Sequence, residues 1–267
     1  MNNSGIIWIQ GAGELASGVA MRLARCGYRI IMAEISNPLA VRRLVAFSEA
    51  VYSGEANVEG VSGVLVEDLN SSHENIPVRI IVDPDGKFLS QANAMAVIDG
   101  RMTKKTPGPL PLSGQFHVGI GPGFVCGQNV DCIIETHRGA RLGEVIHKGE
   151  AFKNTGVPGV VGGQSARRVV YATAAGHLVP AVVIGDLVTE GQCLGTVGGE
   201  PVHSRLDGLV RGLVHSQAEL SSGEKVGDVD PRGQDVDPAL VTDKALAIAG
   251  GVLEALLGAG ILPVSTR

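Results

Sequence analysis

A glycine-rich turn near the start of the chain has the residue types that bind a pyrophosphate. The segment GAGELA, residues 11–16, follows a short apolar run and precedes a helix-like stretch. Gly11 permits a tight turn, Gly13 lets the backbone approach the phosphates, and Ala16 keeps the helix close to the strand. Glu14 lies in the same turn, and the helix N-terminus that follows supplies free N–H groups and a partial positive charge that favour an anion. These four residues are therefore predicted to contact a ligand.

The turn lies within a complete strand–helix–strand unit. A second apolar run, Ile30–Ala33, ends in Glu34, about twenty residues beyond the turn. An acid at this place can accept hydrogen bonds from a ribose diol. The pattern predicts a mononucleotide- or dinucleotide-binding fold, with Glu34 on the ribose of a small nucleotide-type ligand.

A second glycine loop, GIGPGF at residues 119–124, also follows a predicted strand. Successive N–H groups at Gly119, Gly121 and Gly123 could form an anion-binding nest and contact the same cofactor. The alternative is a turn that only returns the chain to its next strand.

Cys126 comes directly after this loop and is the candidate nucleophile. A thiolate forms persulfides or selenosulfides, and free loop N–H groups are expected to lower the pKa of Cys126 and make it the fastest thiol to react. The alternative is a small buried residue. Cys132 is predicted to be core, and Cys26 and Cys193 are predicted to pack. The four cysteines show no CxxC spacing, which is typical of reduced cytosolic thiols.

The region 1–136 is predicted to be a Rossmann-like, doubly wound α/β sheet. Several apolar runs end in acid or glycine, and in open parallel sheets ligands bind at that edge. Asp83 and Asp99 stand at such ends, although Asp-Pro and Asp-Gly turns also use aspartate for local reasons. Pro38–Phe47 is predicted to be a helix with Asn37 as its N-cap.

A different pattern runs through 137–240. Short strands alternate with Gly-Asp and Glu-Gly turns, which predicts a small β barrel. The stretch from Ile184 to Asp228 resembles the biotinyl/lipoyl barrel-sandwich pattern. Carriers of that kind place a modifiable lysine in a hairpin, which here reads Gly198-Gly199-Glu200-Pro201. We therefore expect the fold without a swinging arm. Residues 241–267 hold a predicted helix that packs back on the first domain.

Composition narrows the class of protein. The chain has 267 residues and a formal net charge of −5, and its basic pairs are scattered, so we expect no nucleic-acid partner. No apolar run reaches the ~18 residues of a membrane span, and the first residues lack a signal-peptide pattern. We expect a cytoplasmic protein without a zinc site, since the seven histidines show no HxxxH. The sequence does not determine the oligomeric state, and a homo-oligomer is one possibility.

Four blocks together resemble one family over nearly the full length. They are GAGELASGVAMRLARCGYRIIMAE, NPLAVRRLVAFSEAVYSGE, GIGPGFVCGQNVDCIIETHRG and VTDKALAIAGGVLEAL. The chain resembles the accessory proteins of selenium-dependent molybdenum hydroxylases, which are maturation factors for xanthine-dehydrogenase-like enzymes. The resemblance implies a molybdenum hydroxylase as client partner. It implies a pathway and no particular reaction.

Three functions are compatible with these features. The first is a maturation factor that binds a client and a ligand such as a molybdopterin dinucleotide. The second is an NAD(P)-dependent oxidoreductase, against which stands the lack of a Tyr-x-x-x-Lys motif. The third is a nucleotide-regulated scaffold without chemistry.

Overall fold

The computed structural model describes residues 5–70, 73, 75–103, 107–154, 156 and 159–263. These residues divide into two compact units. The first unit is drawn from Met1–Ser36, Ala46–Asn154 and Val241–Arg267, and the second from Asn37–Val45 and Thr155–Leu240.

The first unit contains a large mixed sheet, as the predicted α/β class requires. In the described part of the chain, nine strands join in the order β3-β4-β5-β2-β1-β6-β7-β8-β9. All neighbours are parallel except the outermost pairs, β3 with β4 and β8 with β9. The strands are β1 (Ile6–Gln10), β2 (Arg29–Glu34), β3 (Glu55–Val58), β4 (Val61–Val66), β5 (Val78–Val82), β6 (Ala96–Asp99), β7 (Phe116–Ile120), β8 (Cys132–Ile134) and β9 (Val145–Ile146).

Helices α1 (Glu14–Arg25) and α3 (Asp243–Gly258) pack against each other in this unit. A Cβ on Gly18 would lie 2.8 Å from the Cβ of Ala245, so glycine there permits the close crossing. Tyr28, just after α1, donates its hydroxyl to the carbonyl oxygen of Ile261 at 2.7 Å. This hydrogen bond joins the segment after α3 to the segment after α1. A short helix, α2 (Ala50–Ser53), precedes β3.

The predicted helix over Pro38–Phe47 is wrong. The structure has only single 3-10 turns at Arg43–Val45 and Phe47–Glu49. Asn37 caps no helix and exchanges hydrogen bonds with the backbone of Glu219. The reason is long-range, because Arg42 and Arg43 donate to carbonyl groups far along the chain, on Pro238 and Leu240 and on Leu213.

The second unit is built from two small antiparallel sheets. Their orders are β10-β16-β15-β12 and β11-β13-β14 in the described residues. The expected hairpin joins β13 to β14 through Gly198 and Gly199, whose φ angles of 59° and 88° suit a two-residue turn. The strands are β10 (Val169–Tyr171), β11 (Leu178–Pro180), β12 (Leu187–Val188), β13 (Cys193–Val197), β14 (Glu200–His203), β15 (Gly208–Leu213) and β16 (Lys225–Asp230).

Candidate nucleotide-binding site

The glycine turn lies at the point where the strand order of the large sheet reverses. β1 has β2 on one side and β6 on the other, and all three are parallel. Their carboxyl ends therefore meet at one edge, which holds Gln10, Glu34 and Asp99. In open α/β sheets the crevice at such a reversal is where ligands bind.

Gly11 and Gly100 let two backbone segments pass close together at this edge. Gly11 has φ +94°, and its N–H donates to the carbonyl oxygen of Ala33 at 2.7 Å. A Cβ on Gly11 would lie 3.2 Å from the carbonyl carbon of Gly100, and a Cβ on Gly100 would lie 3.0 Å from that of Ala16. The small residues of the fingerprint thus bring α1, β1 and β6 together. Gly11 was predicted to permit the tight turn and Ala16 to keep the helix close to the strand, and their contacts with a ligand stay predictions.

Gly13 is the N-cap of α1, and the space beside it is open. A Cβ on Gly13 would meet no atom within 4 Å. Among the described residues no side chain caps the start of α1, whereas Thr242 caps α3 by accepting from the N–H of Ala245 at 3.2 Å. The first turn of a helix leaves N–H groups without intrahelical partners. An anion from solvent could therefore reach the first N–H groups of α1 through the open space beside Gly13.

Glu34 holds the glycine turn with both of its carboxylate oxygens. Oε2 accepts from the N–H of Ala12 at 2.6 Å, and Oε1 accepts from the N–H of Ile35 at 2.8 Å. Burial raises the pKa of Glu34, and these two hydrogen bonds lower it by less. A carboxylate offers about four lone-pair sites, so two remain for a ribose hydroxyl.

Ser17 is a positioning residue that sequence reasoning missed. Its hydroxyl donates to the carbonyl oxygen of Ala12 at 2.9 Å and accepts from the N–H of Phe47 at 2.8 Å. The N–H of Ser48 also donates to Ala12, at 3.0 Å. The hydrogen bonds of Ser17 and Ser48 to the carbonyl oxygen of Ala12 therefore fix the glycine turn in addition to those of Glu34. This role could not be predicted from the sequence, because Phe47, from whose N–H the Ser17 hydroxyl accepts, is 30 residues away.

Lys244 and Arg138 bring positive charge to the same part of the first unit, and neither was predicted. Burial lowers the pKa of Lys244, and nearby Arg138 lowers it further, while Glu14, Glu135 and Asp243 act in the opposite direction. Glu14, predicted to contact the ligand, is therefore electrostatically coupled to a lysine. Lys244 stands in the first turn of α3, which packs against α1. The packing of these two helices, distant in sequence, is what brings Lys244 and Glu14 into electrostatic interaction.

The other acids at this edge serve local structure. The two carboxylate oxygens of buried Asp83 accept from the N–H groups of Lys87 and Phe88, both at 2.8 Å. Asp99 is paired with Arg101 through two side-chain hydrogen bonds. Both carboxylates stabilise loops, which agrees with the turn alternative.

The second glycine loop is packed rather than open. A Cβ on Gly119 would lie 2.5 Å from Cγ of Phe124, and a Cβ on Gly121 would lie 2.7 Å from Oγ1 of Thr136. The N–H of Gly121 donates to the carbonyl oxygen of Ile134 at 2.9 Å. A Cβ on Gly119 or Gly121 would thus overlap side chains of the first unit. The predicted contacts of Gly119, Gly121 and Gly123 with a cofactor stay predictions.

The lowered pKa expected for Cys126 is wrong. Its thiol is half-buried and donates to the carbonyl oxygen of Ile146 at 3.1 Å, and burial raises its pKa. Cys132 is buried as expected, and its pKa is raised to about 12, mainly by burial. Cys26 and Cys193 are exposed, although both were expected to pack. Whether Cys126 acts as a nucleophile stays a prediction.

Two classes of feature are not found in the described part of the chain. No three histidine, cysteine or carboxylate residues there are grouped as a metal site would require. No helix there combines the length and apolar character needed to cross a bilayer.

The chain is homologous to an uncharacterized protein of Escherichia coli K12, YqeB. The two are 41% identical over 258 residues, which is 94% of this chain and 47% of YqeB. The chain thus spans about half the length of this relative. No protein-family model matches the sequence.

Solved structures give only weak similarities. An aspartoacylase family protein from Mesorhizobium loti is 14% identical with a TM-score of 0.28, over 84% of both chains. The apo ectoine utilization protein EutE (DoeB) from Ruegeria pomeroyi is 12% identical with a TM-score of 0.26, over 84% of this chain and 85% of its own. Scores this low carry no argument about function.

Proposed function

We propose that this protein binds a nucleotide-type ligand at the Gly11–Ala16 turn and acts as an accessory protein in maturing a selenium-dependent molybdenum hydroxylase. One observation carries the binding: the 12-residue helix α1 begins at the switch point of the sheet without a side-chain cap, beside open space at Gly13. A pyrophosphate is the group that best fits free N–H donors at a helix start.

Each part of the turn has a role in this binding. The pyrophosphate oxygens accept hydrogen bonds from the first N–H groups of α1, and Gly13 allows their approach. Lys244 contributes positive charge that offsets Glu14. The remaining lone pairs of Glu34 accept a ribose hydroxyl while the other two keep the turn in place. A molybdopterin dinucleotide and NAD(P) both carry these groups.

The pathway rests on the resemblance of four sequence blocks to the accessory proteins of selenium-dependent molybdenum hydroxylases. The blocks include the glycine turn and the segment that leads into α3, which are the two places where the binding residues lie. This overlap is why we place the ligand and the maturation role on the same surface.

Isothermal titration calorimetry tests the binding. NAD⁺, NADP⁺ and molybdopterin cytosine dinucleotide are titrated into the wild type and into Gly13→Asp. We expect one ligand to bind and the variant to lose at least about tenfold in affinity, because a carboxylate at the helix start repels a phosphate. Gly250→Asp is the matched control, since a Cβ on Gly250 in α3 also meets no atom within 4 Å. Equal affinity of wild type and Gly13→Asp would contradict the site.

Co-expression with a selenium-dependent molybdenum hydroxylase tests the maturation role. We expect client activity per amount of client to rise with the wild type and to stay low with Gly13→Asp. Preference for NAD⁺ or NADP⁺, together with hydride transfer to a substrate, would instead indicate an oxidoreductase. If client activity does not change and no nucleotide binds, the remaining hypothesis is a scaffold without chemistry.

A further inference from the structure

Three exposed side chains of the first unit form a small cluster beyond the carboxyl end of β8. They are His137, Arg141 and Phe152, and we call them the ring cluster. The ring centroids of His137 and Phe152 lie 5.3 Å apart with the rings tilted by 44°, and Cζ of Arg141 lies 5.9 Å from the Phe152 centroid. Phe152 is 52% exposed. Exposed aromatic rings and guanidinium planes are the groups on which planar heterocycles stack.

A buried carboxylate fixes the backbone that carries the two rings. Glu135 is 1% exposed and directly follows β8. Its Oε1 accepts from the N–H groups of Thr136 and His137 at 2.7 and 2.6 Å, and its Oε2 accepts from the N–H of Phe152 at 2.9 Å. One carboxylate thus joins the segment of His137 to the segment of Phe152. The exposed ring of Phe152 therefore stands on backbone that hydrogen bonds hold in place.

The ring cluster belongs to the same edge of the large sheet as the glycine turn. β1, β6, β7 and β8 are parallel neighbours in that order, so their carboxyl ends share one edge. The loops along this edge are packed together, because a Cβ on Gly11 would lie 3.2 Å from Gly100 and a Cβ on Gly121 would lie 2.7 Å from Oγ1 of Thr136. Three strand spacings separate the end of β8 from the end of β1 by about 14 Å.

Glu34 and the ring cluster stand on opposite sides of the glycine turn. β2, which ends in Glu34, neighbours β1 on one side, and β8 lies on the other side beyond β6 and β7. Glu14, in the first turn of α1, and Glu135 both act electrostatically on the ammonium group of Lys244. A dinucleotide bound across such an edge directs its two halves to opposite sides of its pyrophosphate.

We propose that the ring cluster is a stacking platform for a planar heterocycle, the second ring system of a dinucleotide whose pyrophosphate lies at the start of α1. The inference rests on the proposed function for the place of the pyrophosphate and adds the residues that bind the far end of the ligand. Phe152 supplies an aromatic face, and Arg141 supplies a guanidinium plane on which a ring also stacks. Stacking tolerates different rings, so both a pterin and a nicotinamide suit the platform.

Calorimetry with NAD⁺ and ADP-ribose measures the contribution of the second ring, because ADP-ribose is NAD⁺ without its nicotinamide. We expect the wild type to bind NAD⁺ at least about fivefold more tightly than ADP-ribose, the lower end of what stacking on an aromatic side chain contributes. Phe152→Ala should lose this difference and bind ADP-ribose as the wild type does. Tyr171→Ala is the control, since it removes an exposed ring from the second unit.

Fluorescence quenching of free pterin tests the platform without the pyrophosphate. Pterin carries no phosphate, so we expect saturable quenching with the wild type and with Gly13→Asp, and its loss in Phe152→Ala. Arg141→Gln should weaken binding several-fold. Arg167→Gln is its matched control, because Arg167 is also exposed and also paired with a glutamate. Thermal unfolding checks that each variant is folded.

The two probes distinguish the source of the ring and the two proposals. Binding that depends on Phe152 with pterin alone supports a pterin-like ring, and with NAD⁺ alone it supports a nicotinamide. If neither probe binds, or if neither distinguishes Phe152→Ala from the wild type, the platform is wrong, even where Gly13→Asp shows that a pyrophosphate binds. Pterin binding that needs Phe152, together with nucleotide affinity unchanged by Gly13→Asp, would support the ring cluster and contradict the proposed nucleotide site.

Discussion

The two glycine loops of the first unit follow β1 and β7, two parallel strands of the mixed sheet with β6 between them, yet the surroundings of the two loops differ. The loop at 11–16 leads directly into α1, and Gly13 has no neighbour within 4 Å of a Cβ position. The loop at 119–124 is followed instead by an isolated bridge between Cys126 and Val130 and then by β8, and Cβ positions on Gly119 and Gly121 are filled by Phe124 and Thr136. A Cβ at Gly13 in the first loop would meet open space, whereas Cβ positions at Gly119 and Gly121 in the second loop are occupied by side chains of the protein.

The difference shows what geometry a glycine loop needs in order to offer an anion site. Both loops contain three small residues at similar spacing. Only the first places them at the start of a helix long enough to leave several N–H groups free and aligned. In the second, the N–H of Gly121 is already bonded to the carbonyl oxygen of Ile134.

The largest expected effect separates the loops by stability. Gly121→Ala should lower the free energy of unfolding by about 2–4 kcal/mol, because φ of +76° disfavours a side chain and a Cβ would press on Thr136. Gly13→Ala should cost less than about 1 kcal/mol, since its φ of −70° suits any residue. Urea denaturation of both variants measures the contrast. Equal costs would mean that the first loop is packed as tightly as the second.

The next effect concerns Glu34, which fastens the first loop. Glu34→Ala should cost about 1–3 kcal/mol, because the N–H groups of Ala12 and Ile35 lose their acceptors. Burial raises the pKa of Glu34, so the folded wild type binds its proton more tightly than the unfolded chain. The stability linked to this proton is fully present below the unfolded pKa and is lost as pH rises through the folded pKa.

The cost of Glu34→Ala should therefore shrink as pH rises from about 4 to about 7. Denaturation midpoints of wild type and variant across this range measure it. Glu55→Ala, at an exposed position on β3, is the control and should show no such trend. A cost that grows with pH would mean that the carboxylate form, held by its two N–H donors, is the favoured one.

A smaller effect of opposite sign is expected beside the second loop. His117 on β7 is buried, its ring packs edge-on against Phe124, and neither ring nitrogen makes a hydrogen bond of normal geometry with a described residue. Burial lowers its pKa, and Arg101 acts in the same direction, while Asp99, the Asn129 backbone and Asp131 oppose the shift.

Because the folded pKa of His117 is lowered, its share of stability is fully present above the unfolded value and is lost as pH falls through the folded pKa. The slope is at most about 1.4 kcal/mol per pH unit, the limit for one proton. His117→Leu should flatten this acid slope, and exposed His203→Leu should not. Unfolding free energies between pH 5 and pH 7, roughly the range in which histidine titrates, measure both. An unchanged slope in His117→Leu would show that protons bind elsewhere.

Local patterns predicted the α/β class and the arrangement around the first loop. The apolar runs of β1 and β2 and the small residues at 11–16 specify their structure through near neighbours. Prediction of local structure failed where contacts with residues distant in sequence determine it. The helix expected over Pro38–Phe47 does not form, because Arg42 and Arg43 donate hydrogen bonds to carbonyl groups 198 and 170 residues further along the chain. Lys244 beside α1 depends in the same way on the docking of α3.

The smallest contrast is one of reactivity, and it concerns Cys126 beside the second loop. With iodoacetamide on the folded protein, we expect Cys26 and Cys193 to react first, because both are exposed. Cys126 should follow, since burial raises its pKa and its thiol donates to Ile146. Cys132 should be last, with its pKa raised to about 12. Peptide mass spectrometry over time gives the order directly.

The same measurement decides what the packed loop does to its cysteine. If Cys126 reacts before the exposed thiols, loop N–H groups must stabilise its thiolate, and the second loop would have the anion-binding character that we propose for the first. Cys126→Ser should then lower client hydroxylase activity without lowering the amount of client. If Cys126 reacts third and the serine variant supports normal client activity, the thiol is structural. Any maturation role would then rest on the ligand that we propose at the start of α1.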